Sequence, residues 1–292
     1  MKRVGILRGG RENYDISIWE GGNLIAHLME ALPHKWKPVD ILVDRGGAWH
    51  LAGVPVTPAA LSHRVDLVWN IAHQNLSRSL AQFSIPEIGM PENLSYLTPE
   101  IWRREAEELG LKVPRRMILS TYLEGERRRY AITKAKEVHE RMGPPWVVGS
   151  LAPSQMGVHA RPTERLQSFG RVANTFPELV DAIEDGASHG ETIVAEELIP
   201  GERQESHTVS RYRGEDPYAF PGSYADLARE LHKHLGARHY LQSEFTAHPR
   251  MGTYLTALHF TPDLRKDSNF RKLCERVGVR PSEIVEHILE QS

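Results

Sequence analysis

The feature that most constrains this chain is an alternation. Over roughly the first 90 residues, short apolar runs that suit buried strands exchange with stretches whose apolar residues keep helical spacing. Val4-Gly5-Ile6-Leu7 stops at Gly9-Gly10, a buried strand running into a loop. Leu24, Ile25, Leu28 and Leu32 then recur at helical spacing, and Ser17 with Glu20 three residues on reads as a capping box opening that helix. Residues 39–43 form a second strand that turns at Gly46-Gly47 into a small hairpin, 49–51 against 54–56. Residues 65–71 and 85–88 supply two more. Strands separated by helices imply a mostly parallel sheet.

The pattern beyond this region is mixed. Thr98 caps a helix with Pro99 at its first position and Gly110 as its stop. Strands are expected over 113–119 and 146–148, with a charged helix over 131–142 between them. A helix over 176–183, a strand over 193–199 and a helix over 224–235 follow. Residues 240–245 and 253–260 pair around the turn 249–252, and Ser282 caps a last helix with Glu283 in its first turn. The fold class is therefore α/β, shading into α+β. Three consecutive parts are expected: 1–92, 93–190 and 191–292.

Composition narrows the function. Net charge is −2, from 36 basic and 38 acidic residues, which gives no electrostatic case for nucleic acid or an anionic membrane. Cys274 is the single cysteine, so an intramolecular disulfide and a cysteine-based zinc site are excluded. No stretch approaches the roughly 18 apolar residues of a membrane span. The run 1–7 enters a strand at once, without a signal peptide's apolar region, so a cytoplasmic location is expected.

Six segments, in order, resemble the D-alanine–D-alanine ligase family. They are Val4 to Gly10 with Asp15-Ile16-Ser17, then Asp66 to His73, then Ile85-Pro86-Glu87-Ile88-Gly89. Gly110 to Pro114, Glu196-Glu197-Leu198-Ile199-Pro200-Gly201 and Tyr254 to Leu264 complete the set. The resemblance spans nearly the whole chain and implies a three-part ATP-grasp architecture, in which two α+β domains clasp ATP and an N-terminal parallel-sheet domain helps hold the amino acids. It also implies pairing through that first domain, where residues 17–32 carry Ile18, Trp19 and Leu24.

The same resemblance assigns sites, and most positions depart from it. The strand that ends in a phosphate-contacting lysine reads Val147-Val148-Gly149-Ser150 here, and Gly149 carries no charge. The phosphate-covering loop that follows contains Pro153 and Met156. A second nucleotide lysine falls on Pro99. Its neighbours Arg103 and Arg104, beside Glu105 and Glu107, read as a solvated helix face. The motif bearing the oxyanion arginine and a magnesium carboxylate reads Gln242-Ser243-Glu244-Phe245, which retains Glu244 as the one metal ligand. The second magnesium pair reads Ala257 and His259. Nucleotide contacts are implied at Glu196, Glu197 and Arg203, the last standing where the family has a ribose glutamate. Asp15, His73 and Ser268 fall at substrate-binding positions, while Asp263 stands where the family has a glycine. The family's long lid shrinks to Pro221-Gly222-Ser223.

Acyl-phosphate chemistry needs charge placed against phosphate, metal and oxyanion, and removing one such stabiliser costs on the order of 10²- to 10³-fold in rate. With several missing together, the expected function is a ligase-like scaffold without ligation activity, kept for binding or assembly. ATP and magnesium are expected only if the family activity persists. The alternative is an active ATP-dependent carboxylate–amine ligase of D-Ala–D-Ala type, serving cell-wall peptide synthesis with non-standard residues. Expected partners are a second copy of the chain and an active ligase or cell-wall enzyme.

Overall fold

In the computed structural model, which describes residues 1–10, 14–72, 76–90, 99–119, 126–151, 170–188 and 192–292, the N-terminal alternation becomes a six-stranded sheet. Its elements are β1 (Lys2–Gly9), α1 (Tyr14–Ala31), β2 (Trp36–Val43), β3 (Trp49–Leu51), β4 (Val54–Val56), β5 (Leu67–Asn70), α2 (Ser77–Gln82) and β6 (Glu87–Ile88). The strand order is β4-β3-β2-β1-β5-β6. β2, β1, β5 and β6 run parallel, and β3 and β4 add an antiparallel hairpin at one edge. β1 is buried on both faces, as a central parallel strand should be. Val4 and Ile6 pack with Leu24 and Leu28 of α1, while Leu7 packs with Ile41, Val43 and Leu61 on the other side. Each such side chain contributes about 1.5–3 kcal/mol by leaving water.

The capping box expected at Ser17 does not form. α1 begins earlier, at Tyr14, and the buried Ser17 hydroxyl accepts a hydrogen bond from the Gly9 N–H at 2.9 Å. The serine thus ties the helix back to the end of β1. Gly9 is obligatory there: its φ is +89°, and a Cβ would lie 2.1 Å from the Val43 carbonyl oxygen.

A second sheet follows from α3 (Pro99–Glu108), β7 (Arg116–Leu119), α4 (Arg127–Arg141), β8 (Trp146–Leu151), β9 (Gly170–Ala173), α5 (Phe176–Ser188) and β10 (Thr192–Glu197). Gly110, at φ +71°, ends α3 as its sequence promised. The strands run antiparallel in the order β7-β10-β8-β9. α4 and α5 cover one face, packing Ala131, Ala135, Val138, Leu179 and Ile183 against Leu119, Trp146, Val148, Ile193 and Ala195.

The remaining elements are β11 (Glu202–Val209), β12 (Tyr218–Ala219), α6 (Ala225–His234), β13 (Tyr240–His248), β14 (Gly252–His259), α7 (Asn269–Arg276) and α8 (Pro281–Glu290). Their sheet has the order β12-β11-β13-β14, with β13 and β14 neighbours as their spacing implied. α8 begins one residue before the expected cap: Pro281 opens the helix, Arg280 precedes it, and Ser282 lies inside. The chain gathers into two compact units. Met1–Tyr96, Glu205–Gln242 and His259–Ser292 form one, and Leu97–Gln204 with Ser243–Leu258 form the other.

Candidate functional site

The second sheet has a face turned away from its helices, and strand alternation tells which residues line it. Ile193 and Ala195 sit in the core, so Val194 and Glu196 point the other way. Register extends the map across the strands. Val194 lies opposite Ile118 on β7 and Gly149 on β8, and Gly149 lies opposite Gly170 on β9. In the next row, Glu196 lies opposite Arg116 and Val147, and Val147 opposite Val172. Gly149, where the resemblance implies a phosphate lysine, is a buried glycine in a row of apolar and glycine residues.

Arg116, the cation in the neighbouring row, is already committed. Its Nε and Nη2 both donate to Glu196 Oε2, at 2.8 and 2.6 Å, with side-chain exposures of 13% and 9%. Glu197 has a more exposed partner. Arg115 donates to it through Nε at 3.0 Å, Nη2 at 3.0 Å and its backbone N–H at 3.2 Å. Burial works to raise the Glu197 carboxyl, but these hydrogen bonds outweigh it and hold the group below the usual carboxylate range. Both nucleotide-side glutamates thus serve as ion-pair partners across the β10–β7 edge. Sequence reasoning missed the arginines, although Arg115-Arg116 entering one strand and Glu196-Glu197 leaving another was a readable signal. Arg203, the third position assigned to nucleotide, is exposed on β11.

On β13 and β14, Gln242, Glu244 and Ala257 are buried and His259 is half-buried. The Thr256 hydroxyl donates to the Glu244 carbonyl at 3.2 Å. Of the residues that the resemblance assigns to substrate, exposed Asp15 in the first turn of α1 pairs with Arg45, whose Nη2 reaches both carboxylate oxygens at 3.0 and 2.9 Å. The Arg45 guanidinium also lies over the Tyr14 ring. Ser268 is buried as the N-cap of α7, its hydroxyl accepting from the Arg271 N–H at 3.2 Å. Asp263 chelates Arg265, which in turn lies over the Trp19 ring. His73 and the phosphate-covering loop with Pro153 and Met156 lie outside the described residues. β12 leads to α6 through residues 220–224 alone, as expected for a chain without the long lid.

No family model matches the sequence, and no curated protein matches it. The structure does have counterparts. It superposes on the D-alanine–D-alanine ligase from Coxiella burnetii with a TM-score of 0.68 at 16% identity, covering 100% of this chain and 95% of that one. The fold is that of the D-alanine–D-alanine ligases. The VanG D-Ala:D-Ser ligase from Enterococcus faecalis gives a TM-score of 0.65 at 15% identity, covering 99% of each chain. The Bacillus anthracis D-alanine–D-alanine ligase complexed with ATP gives 0.63 at 17%, covering 100% of this chain and 96% of that one.

The ligase fold implies a magnesium–nucleotide complex, and the donor set can be tested against one. Magnesium takes about six oxygens in a near-octahedral shell. Among the described residues, the magnesium positions offer one carboxylate, Glu244, with a methyl at Ala257 and an imidazole at His259. Phosphate needs cations, and among the described residues assigned to that side Gly149 carries no charge while Arg115 and Arg116 are spent on carboxylates. These residues do not fit the group.

Proposed function

We propose that this chain is a divergent relative of the D-alanine–D-alanine ligases that has kept the scaffold without the ligation chemistry, and that it acts by binding or assembly in the cytoplasm, beside cell-wall peptide synthesis. The observation that carries the reading is the outer face of the β7-β10-β8-β9 sheet. Gly149 removes the phosphate cation, and the Arg116–Glu196 and Arg115–Glu197 pairs close off the two carboxylates left on the adenine side. Calorimetric titration with ATP and magnesium tests it.

The partner we propose is a second copy. Of the three apolar residues in the helix region that suggested pairing, Leu24 is in the core and Ile18 is half-buried, but Trp19 is 49% exposed. Met29, ten residues on, is 63% exposed, and Gly22 and Ala26 lie on the same side of α1. In a two-fold antiparallel approach, Trp19 of one copy meets Met29 of the other across Gly22 and Ala26, a self-complementary contact. The second reading, an active carboxylate–amine ligase, is favoured by Glu244, a buried carboxylate retained at a magnesium position. Phosphate release that depends on D-alanine would select it.

A further inference from the structure

Ser210, the residue after β11, is held by histidine-bearing segments at each of its polar atoms. Its hydroxyl meets His232 Nε2 of α6 at 2.8 Å, and its N–H donates to the His239 carbonyl at 2.9 Å. Its carbonyl accepts from His287 Nε2 at 2.9 Å and from Gln291 Nε2 at 2.6 Å, at the end of α8. One residue thereby joins the end of a central strand to two helices.

The hydrogen-bond directions fix the protons. Thr208 Oγ1 donates to the Leu241 carbonyl at 3.2 Å, so it must accept from His232 Nδ1, which lies 2.7 Å away. His232 Nε2 then bears a lone pair that accepts from Ser210. A second proton would fall on Nε2 and force the Ser210 hydroxyl to reverse. Ser292 Oγ donates to the Ile288 carbonyl, so it accepts from His239 Nε2 at 3.1 Å. His239 Nδ1 is buried with no partner, and a proton there would be a buried donor without an acceptor. Burial outweighs the compensation available: the Ala237 backbone accepts a hydrogen bond from the His232 ring and favours its charged form, while His239 opposes a charge there. Asp216 acts on His232 only through space and is itself bound by the Arg211 N–H, while Arg238 adds a positive charge beside His239. His287 carries the Tyr212 ring against it.

We propose that the Ser210 hub is an acid-opened latch: a second proton on His232 or His239 frees α6 and α8 from the end of β11. Ile284, Val285, Ile288 and Leu289 of α8 form part of the core around β1, so release bares an apolar surface. Burial pushes both imidazoles down, each to about 4 from the ordinary 6.5. Both are neutral in the native state, whereas the opened segments take up protons as soon as pH falls below the ordinary value. Latch stability is thus full above that value and declines between pH 6.5 and 4.

Hydrogen exchange of the full chain at pH 7 and pH 5, corrected for intrinsic rates, tests this. Between those pH values, opening of residues 225–234 and 281–290 should rise by about 20-fold per histidine, with 127–141 and 176–188 unchanged. No rise, or an equal rise in all four helices, overturns the latch. His232→Gln retains hydrogen bonding without a titratable ring and should lose its share of the pH response, and an undiminished response overturns it. Should that variant not fold, the imidazole resonances of the unmodified protein decide: titration of both His232 and His239 near the ordinary value refutes the proposal, and neutrality down to pH 5 sustains it.

Discussion

Replacing Arg116 by leucine separates the structural role of Glu196 from a role in holding a nucleotide. The pair is almost out of solvent, at 13% and 9% side-chain exposure, and both guanidinium contacts go to one carboxylate oxygen. Removing the arginine leaves a carboxylate with its cation gone in a strand whose opposite face is packed core, and breaking such a buried pair costs about 3–5 kcal/mol. Arg115→Leu is the internal control. Its side chain is 50% exposed, so water screens the Glu197 pair and the loss should be within about 1 kcal/mol. Removing both charges, as Arg116→Leu with Glu196→Leu, should restore most of the deficit, because both side chains are nearly out of solvent and their row continues into the buried Val147. Urea unfolding followed by circular dichroism, completed as a double-mutant cycle, gives all three numbers. If Arg116→Leu lies within 1 kcal/mol of the parent protein, the pair does not hold the sheet edge, and Glu196 is available to a ligand.

Three other outcomes follow from the same geometry. Ser268→Ala removes the side-chain cap of α7 and should cost about 1 kcal/mol in thermal or urea unfolding, without a change in ligand binding. If the proposed pairing holds, the parent protein should be dimeric and Trp19→Glu monomeric in light scattering, and a monomeric parent protein would remove the pairing outright. The triple variant Gly149→Lys, Ala257→Glu, His259→Asn should gain magnesium-dependent ATP affinity, each new charge contact giving about 1.5–3 kcal/mol. It should still release no phosphate when D-alanine is added, since only residues 220–224 link β12 to α6. Turnover by that variant would show that the lid is dispensable.

The sequence made some of this legible and concealed the rest for identifiable reasons. β1 was readable because a parallel strand buried on both faces carries an unbroken apolar run, Val4 to Leu7, and Gly9-Gly10 marks where it ends; β2 was readable from Ile41 to Val43. The β13–β14 hairpin was readable from its turn. Ser17 misled because a serine before a helical pattern satisfies the cap rule whether its hydroxyl faces the helix or, as here, the Gly9 N–H of a preceding strand. β9 and β11 were not anticipated: Gly170–Ala173 is too short to show a period, and Glu202–Val209 is polar at all but its last position, so no apolar alternation marks it. At the candidate site, the missing groups were plain from residue identity, as at Gly149 and Ala257. The partners were not. Arg116 on Glu196, Arg45 on Asp15 and Arg265 on Asp263 depend on register and loop paths that no local pattern encodes.

Calorimetric titration of the unmodified protein with ATP and magnesium decides whether the ligase fold persists here without its magnesium–nucleotide site, as we propose. No saturable heat is expected at micromolar nucleotide, with or without D-alanine. A magnesium-dependent Kd in the micromolar range, about 8 kcal/mol of binding free energy, would contradict it, because the paired arginines and the glycine at position 149 provide no source for that energy.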